Sequence, residues 1–324
     1  IEDWSSKIFS YKFFKNSFKK DYLICGIPCF KLLIAKILRP KSDLILLLMN
    51  ANPAYRLKQI RRNLGQYPVD VIREEIPFPP YLQSILLFLA DRIILVGNDH
   101  TLNSYLKSGW QKSFFNIANA QIDSNFFNTK SLLKEKKDKL FYCFPASMHG
   151  HRKGLFYSIY SWIKFFKKIK ELNKKSPTLI MTGNLPIEYE NYLRIKFGEN
   201  YQQEFNIDFK GWVSAQDLLD IYKKCAFIIS TPLEEGQVAA VLEAVACGVT
   251  PIISKDTGIT FNNYQYVDNY KDNGKYSLID ALLLSYEKED FFSEDNFLKE
   301  KNRVTFLEYY SKASVYKSTM SLFV

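Results

Sequence analysis

The stretch CAFIISTPLEEGQVAAVLEAVACGVTPIIS, residues 225–254, decides the fold. Two apolar runs, 225–230 and 250–254, flank a segment whose apolar residues recur at helical spacing. This arrangement predicts a strand, a helix and a second strand in a parallel βαβ unit. Two acidic residues interrupt the stretch. We expect Glu235 at the mouth of the helix and Glu243 buried in the helix's apolar face.

The same alternation of strands and helices begins near residue 140. Apolar strand-like segments are separated by segments with helical spacing, such as SAQDLLDIYKK, in which Ser214 is the expected N-cap. Strands that alternate with helices in this way predict a doubly wound parallel sheet. The predicted strands are KLFYCFPA (139–146), TLIMTG (178–183) and NIDFKGW (206–212), and the predicted helices lie at 154–175, 187–198 and 214–224.

The first part of the chain shows a thinner version of this pattern. DLILLLMN (43–50), PVDVIREE (68–75) and DRIILVG (91–97) are predicted strands, and TLNSYLKSGW (101–110) is a predicted helix. A doubly wound half needs more strands, so we expect either a reduced lobe or opening strands that precede residue 1. The predicted organisation is an N-terminal lobe at 1–125, a linker at 126–139, a second lobe at 140–305 and a C-terminal helix at 306–324.

The composition is that of a soluble globular protein with about two domains. The chain has 324 residues, of which 47% are hydrophobic, and its net charge of +10 indicates an anionic partner. The five scattered cysteines are typical of reduced cytosolic thiols. The apolar run 84–97 carries Asp91 and Arg92 and is shorter than the ~20 residues of a membrane span. His149 and His151 lack a third ligand, so no metal site is predicted.

The segment around residue 236 has the chemistry of a phosphate-binding site. We expect the helix to begin near Gln237 or Val238, where its first N–H groups would attract a phosphate. Gly236 has no Cβ to obstruct the ligand, and Glu235 would point into the cleft between the lobes. Glu243 lies among alanines and needs a partner, such as the two hydroxyls of a sugar diol. From these residues alone, a chance pair of glutamates that complements the helix dipole is an open alternative.

The segment STPLEEGQVAAVLEAVACGVTPII (230–253) resembles the E-x7-E segment of the retaining glycosyltransferases of family 4, which have the GT-B fold. The resemblance covers about residues 85–310 and includes LADRIILVGNDHTLNSYLKSGW (89–110). It implies two Rossmann-like, doubly wound lobes that face a cleft. It also implies that Glu235 contacts the donor sugar and that Glu243 holds the nucleotide ribose.

The resemblance extends to the residues that would hold the donor diphosphate and base. HRKG (151–154) occupies the place of the family's basic phosphate loop, which implies catalytic roles for Arg152 and Lys153 beside Glu235. LIMTGN (179–184) and IDFKGWVSAQ (207–216) resemble segments that surround the nucleotide. The implied donor-binding residues are Glu243, Gly236, Gln237, Val238, Gly183, Trp212 and Val213.

The chain departs from the family pattern at two places that would face the cleft. QVAA (237–240) stands where the family has FGLP, so a flexible glycine turn is absent. In the first lobe, VIREEIPFPP (71–80) has no histidine where such enzymes often place one against the donor sugar. Arg73, Glu74 and Glu75 are the candidates for the acceptor side, and a solvated loop is the alternative.

The sequence therefore predicts a retaining glycosyltransferase. It would move a sugar from a nucleotide-diphosphate sugar to a saccharide or lipid-linked acceptor, in cell-surface polysaccharide or lipopolysaccharide synthesis. We expect no cofactor and no essential metal, and a cytoplasmic protein that can sit peripherally on the anionic inner membrane face. The alternative is a catalytically degenerate GT-B protein that binds a nucleotide or glycan. Nucleic-acid binding is disfavoured because the basic residues form no stripe or known binding motif.

Overall fold

The structure is a computed structural model that describes part of the chain. The described residues are 22–25, 30–48, 51–63, 80–118, 138–145, 153–233, 235–254, 257–259, 266–267 and 277–287. The predicted strand at 68–75, the predicted C-terminal helix and the pair His149 and His151 lie outside them, as does the predicted linker up to residue 137.

Within the described residues, the first lobe contains a parallel sheet of four strands in the order β1-β2-β3-β4. The strands are β1 (Tyr22–Cys25), β2 (Asp43–Leu48), β3 (Arg92–Val96) and β4 (Phe115–Ala118). Each connection contains helix: α1 (Phe30–Leu38) after β1, α2 (Pro53–Asn63) and α3 (Pro80–Leu89) after β2, and α4 (Asp99–Leu106) after β3. The predicted strands at 43–50 and 91–97 are thus confirmed, and α4 covers most of the helix predicted at 101–110.

The described part of the second lobe contains a parallel sheet of six strands in the order β10-β9-β8-β5-β6-β7. Its strands are β5 (Asp138–Pro145), β6 (Thr178–Thr182), β7 (Ile207–Phe209), β8 (Cys225–Ser230), β9 (Thr250–Ser254) and β10 (Tyr266–Val267). Its helices are α5 (Leu155–Glu171), α6 (Ile187–Phe197), α7 (Tyr201–Glu204), α8 (Ala215–Lys224), α9 (Ala239–Ala246) and α10 (Leu278–Glu287). Every strand and helix predicted between residues 139 and 254 is present.

The strand order of the second lobe creates a reversal point between β5 and β8. From the central strand β5 the chain moves outward through β6 and β7, and it then returns to the other side of β5 to form β8, β9 and β10. Ligands of open parallel sheets bind at the carboxyl ends of the strands at such a point, because the connections leave in opposite directions and open a crevice. The loops that follow β5 and β8 therefore flank the expected binding site.

Packing around α5 fixes one side of this crevice. The buried face of α5 includes Trp162, whose indole N–H donates to the carbonyl oxygen of Phe205 at 2.9 Å. The ring of Tyr142, on β5, lies against Trp162 and stacks on Phe227 of β8 at 4.8 Å. Burying aromatic side chains of this size is worth several kcal/mol. The amino end of α5 is thereby held at the carboxyl edge of the sheet.

The two lobes touch through apolar side chains beside the crevice. Val96, the last residue of β3, is buried in a cluster with Val238 and Val241 at the start of α9. Leu47 of β2 packs against the same cluster. The carboxyl edge of the first sheet thus lies against the segment that carries the two glutamates.

Candidate active site

The loop after β8, with described residues 231–233 and 235–238, is the centre of the candidate active site and is called the Glu235 loop. Thr231, Pro232 and Leu233 continue directly from the strand and are buried. The carbonyl oxygen of Pro232 accepts a hydrogen bond from the Ser254 hydroxyl, at the end of β9, at 3.2 Å. Glu235 follows with 5% of its surface exposed. An acidic side chain is rarely buried to this degree without a partner.

The partner of Glu235 is Lys153. The ammonium group of Lys153 forms an ion pair with the Glu235 Oε2, and the two side chains are 18% and 7% exposed. Lys153 follows β5 and Glu235 follows β8, so the pair lies at the reversal point of the sheet. Two residues predicted as catalytic from separate motifs are therefore in direct contact. Arg152, the third, lies outside the described residues.

Gly154 allows the basic segment to approach β8 this closely. Its φ of +72° is in the left-handed region, and it caps the amino end of α5. A Cβ at this position would overlap the carbonyl oxygen of Thr231. The Ser158 hydroxyl, one turn into α5, hydrogen bonds to the Thr231 hydroxyl at 2.7 Å. These contacts dock the amino end of α5 onto the start of the Glu235 loop.

Gly258 makes a second close approach to the same loop. Its φ is +61°, and a Cβ there would overlap the carbonyl oxygen of Gly236. The segment after β9, residues 257–259, is buried against the loop. Gly258 was not predicted as a site residue from the sequence. The only signal was a glycine shortly after a predicted strand, which by itself is common at turns.

Helix α9 begins at Ala239, with Val238 as its N-cap. The predicted start was Gln237 or Val238, so the helix begins one residue after Val238. Val238 has no side chain that can accept a hydrogen bond, so the first N–H groups of the helix have no side-chain cap at this position. With the helix dipole they give the mouth of the helix a partial positive charge. Gly236 and Gln237 connect this mouth to Glu235, as predicted.

The prediction that Glu243 is buried in the apolar face of the helix is wrong in degree, because Glu243 is only partly buried. Glu235 is the buried glutamate, whereas Glu243 is half-buried, because the inward face of α9 is formed by Val241, Leu242 and Val245. Burial nevertheless raises the pKa of the Glu243 carboxyl from 4.5 to about 7. A carboxyl group with a pKa near neutrality is typical of functional sites.

The predicted nucleotide-binding residues lie at the carboxyl ends of β6 and β7. Gly183 follows β6 with φ +99°, and Gly211 follows β7 with φ +65°. The Gly183 N–H donates to the Gly211 carbonyl oxygen at 2.7 Å, which joins the two strand ends. The adjacent Trp212 is 64% exposed, and Val213 leads into α8, where Ser214 and Asp217 form a capping box. An indole this exposed is free to meet a ligand.

The first lobe also contributes an edge to this region. Gln237 donates from its side-chain amide to the carbonyl oxygen of Gly97, which directly follows β3, at 3.4 Å. Asn98 caps α4 by accepting the His100 N–H at 2.9 Å. The predicted acceptor-side residues Arg73, Glu74 and Glu75 lie outside the described residues.

In the part of the chain that the structure describes, no three His, Cys, Asp or Glu side chains lie close enough together to hold a metal ion. None of the described helices is both long enough and apolar enough to cross a membrane.

Residues 127–271 match the model of the family described as "Glycosyl transferases group 1". This segment contains Lys153, Glu235 and Glu243. No curated protein sequence matches the chain.

Solved structures of glycosyltransferases are similar in fold to this chain over most of its length. Anabaena HepE, solved in complex with UDP-glucose, is 10% identical with a TM-score of 0.69, and the match covers 96% of this chain and 80% of that one. A glycosyltransferase of Rickettsia africae is 14% identical with a TM-score of 0.65, covering 94% and 76%. Sucrose-phosphate synthase of Thermosynechococcus elongatus is 14% identical with a TM-score of 0.64, covering 93% and 72%. These matches confirm the predicted GT-B fold. The segment that contains Lys153, Glu235 and Glu243 is thus similar to the group 1 glycosyl transferases and lies within a chain of GT-B fold.

Proposed function

We propose that the protein transfers a sugar from a nucleoside-diphosphate sugar to an acceptor hydroxyl and retains the anomeric configuration. The observation that carries this proposal is the Lys153–Glu235 ion pair at the reversal point of the second sheet, beside the mouth of α9. HepE, whose fold is similar, was solved with UDP-glucose. We therefore propose a nucleotide sugar such as UDP-glucose as the donor.

The positive groups of the site are suited to a leaving diphosphate. Lys153 provides an ammonium ion, and the mouth of α9 provides N–H groups and the positive end of a helix dipole. We propose that these groups hold the diphosphate, together with Arg152, and stabilise the negative charge that builds as the glycosidic bond breaks. No metal ion or cofactor is needed in this scheme, so activity should persist in EDTA.

The two glutamates would bind the hydroxyl groups of the donor. Glu235 would accept from the transferred sugar while its pairing with Lys153 keeps its charge acceptable in a buried site. Glu243 would accept from the ribose diol, which restores the solvation that its carboxylate loses by burial. Trp212 and Val213, beside Gly183, would border the base. These contacts are spread over the donor, so remote binding energy can contribute to reaching the transition state.

The acceptor would approach from the first lobe, on the same face of the sugar that the diphosphate leaves. Attack on an oxocarbenium-like centre from that face retains the anomeric configuration. We propose a saccharide or a lipid-linked saccharide as acceptor, in cell-surface polysaccharide or lipopolysaccharide synthesis. The net charge of +10 supports a cytoplasmic protein that binds peripherally to an anionic membrane face. Binding to vesicles with anionic lipid, lost in high salt or with neutral lipid, would test the membrane proposal.

The experiment that tests the proposed activity removes the ion pair in two ways. Lys153→Met or Glu235→Gln alone leaves one buried charge without its partner, which costs about 3–5 kcal/mol of stability. The double variant Lys153→Met with Glu235→Gln has no such charge and should recover much of that stability. We expect the double variant to fold and to lose transfer by about 10²–10³-fold, because Lys153 no longer stabilises the leaving group.

The matched control is an ion pair on the surface of α8. Lys223 and Asp220 are 2.9 Å apart and partly or largely exposed, so removing both should change stability by no more than about 1 kcal/mol and leave transfer intact. Donor turnover is measured with a panel of nucleotide sugars, and NMR of the product reports its anomeric configuration. Full transfer activity in the Lys153–Glu235 double variant, or an inverted product, would contradict the proposal.

A second candidate function is a GT-B protein that binds a nucleotide or glycan without catalysis. It is favoured by QVAA at 237–240, where the resembling enzymes have a glycine turn against the donor. Calorimetry with nucleotide sugars, combined with a donor-hydrolysis assay, separates the two. Binding with neither transfer nor hydrolysis would support the binding protein.

A further inference from the structure

The side chain of Gln237 joins the two lobes at the donor site. Gln237 lies between Gly236 and the N-cap of α9, and its amide donates to the Gly97 carbonyl oxygen at 3.4 Å. The two residues are 140 positions apart in the sequence. The main chain of Gln237 borders the predicted donor site, whereas its side chain reaches the first lobe.

The acceptor of this hydrogen bond is held rigidly. Gly97 follows β3, and a Cβ there would overlap the Oγ1 of Thr101, so the first turn of α4 packs directly on the Gly97 backbone. Asn98 closes the same turn by accepting the His100 N–H. A contact that fixes the Gly97 carbonyl group therefore also fixes the amino end of α4.

An apolar contact supports the polar one. Val96 is buried in the same hydrophobic cluster as Val238 and Val241. Val96 immediately precedes Gly97, and Val238 immediately follows Gln237. The hydrogen bond is part-buried beside this apolar cluster, and a lower local dielectric strengthens it relative to an exposed one. Apolar contacts resist separation of the lobes but are not directional. The hydrogen bond between the Gln237 amide and the Gly97 carbonyl oxygen is directional, so it fixes the position of one lobe relative to the other.

We propose that Gln237 is a positioning residue. Its hydrogen bond to Gly97, here called the lock, holds residues 235–238, which border the donor site, against the first-lobe edge formed by residues 97–100. This inference rests on the proposed function. When the lock is formed, the anomeric carbon of the donor faces an edge that excludes water and receives the acceptor. When it is broken, the lobes separate more readily and water can reach the activated donor. Gln237 therefore sets the partition of the donor between transfer to the acceptor and hydrolysis.

The test compares two variants with a control. Gln237→Met keeps the length of the side chain and removes the N–H donor, and Gln237→Glu places a carboxylate against the Gly97 carbonyl oxygen. Gln216→Met is the control, since Gln216 is an exposed residue of α8 whose amide contacts Asp220 at 3.4 Å. Transfer and hydrolysis rates are measured with one donor, and hydrogen exchange is followed at the amides of residues 97–102.

We expect Gln237→Met to lower the ratio of transfer to hydrolysis about 3- to 10-fold, the effect of losing one neutral hydrogen bond. Gln237→Glu should lower it further. The acceptor KM should rise more than the donor KM, and exchange at residues 97–102 should be faster. Gln216→Met should change none of these.

An unchanged ratio and unchanged exchange in both Gln237 variants would overturn the inference. Hydrogen exchange requires no turnover, so it decides the lobe contact even if no donor is turned over by the unmodified protein. In that case the proposed function fails on the activity assay, and the lock stands or falls on exchange alone.

Discussion

Replacing Glu243 by glutamine should stabilise the protein and weaken donor binding in the same pH range. Burial raises the pKa of the Glu243 carboxyl from 4.5 to about 7, so the charged form is disfavoured in the folded state. Each pKa unit corresponds to about 1.4 kcal/mol, and the shift therefore corresponds to about 3 kcal/mol. The unfolded chain loses the proton near its ordinary pKa. The folded protein accordingly loses stability as the pH rises from about 4.5 to about 7.

The variant Glu243→Gln carries no ionisable group and escapes this loss. Its free energy of unfolding should equal that of the unmodified protein below about pH 4.5 and exceed it by up to about 3 kcal/mol above about pH 7. Urea unfolding at pH 4.5, 6 and 8 measures the difference. Glu171→Gln, at the exposed end of α5, is the control and should show no such dependence on pH. A stability difference that stays constant across these pH values would refute the reasoning.

Donor binding should respond in the opposite direction. Under the proposed function the ribose hydroxyls donate to the Glu243 carboxylate, so donor affinity should fall as the pH drops below about 7. Hydrogen bonds to a charged group are worth about 1.5–3 kcal/mol, so Glu243→Gln should weaken the donor about 10- to 100-fold at pH 8. Calorimetry at pH 6 should also detect proton release on binding, because most of the Glu243 carboxyl is protonated in the free protein at that pH and the donor favours the carboxylate. Equal donor affinity at pH 6 and pH 8 would contradict a role for Glu243 at the ribose.

Three other substitutions test the packing and the base contact. Gly154→Ala should lower the free energy of unfolding, measured in urea, by more than about 2 kcal/mol, because a steric overlap with the Thr231 backbone adds to the cost of a positive φ. The control Gly109→Ala has a positive φ but open space around it and should lower the free energy of unfolding by about 1 kcal/mol. Gly258→Ala should displace the Glu235 loop and lower transfer by more than its loss of stability explains, measured as kcat under conditions where the variant is folded. Trp212→Ala should leave stability within about 0.5 kcal/mol, since the side chain is 64% exposed, and weaken nucleotide binding by about 1–3 kcal/mol in calorimetry. Unchanged nucleotide affinity would remove Trp212 from the site.

The second lobe was predictable from the sequence because its local signals agree with each other. The strands at 225–230 and 250–254 are continuous apolar runs, as buried parallel strands are. Helix α8 has both a capping box and an amphipathic pattern. Where propensity, capping and burial all favour the same element, the sequence specifies it without knowledge of the tertiary contacts.

The helices of the first lobe were harder to predict, and α3 shows why. Its sequence, PYLQSILLFL, is apolar on most sides and runs almost directly into β3, so it reads as one long hydrophobic run. Phe88 is 84% exposed in the structure. No polar face marks the helical period, and the boundary between helix and strand is therefore invisible to periodicity.

The residues of the candidate site could be predicted from the sequence, but the contacts between them could not. Lys153, Glu235 and Glu243 were each singled out from motifs, yet their distances depend on the strand order, which local sequence does not encode. The close approach of Gly258 to Gly236 and the hydrogen bond from Gln237 to Gly97 likewise arise where separate segments of the chain meet. Contacts of this kind become visible only when the sheet is assembled.

The two glycine contacts also limit how the donor specificity of this protein can change. Gly154 lies directly against Thr231, at the start of the Glu235 loop, and Gly258 lies directly against Gly236, after Glu235. Backbone therefore packs on the loop on both sides of Glu235. A segment clamped at both ends has little freedom to widen around a bulkier sugar. Natural variants with altered sugar preference should therefore differ mainly on the opposing wall, around residues 97–100, while this loop keeps its shape.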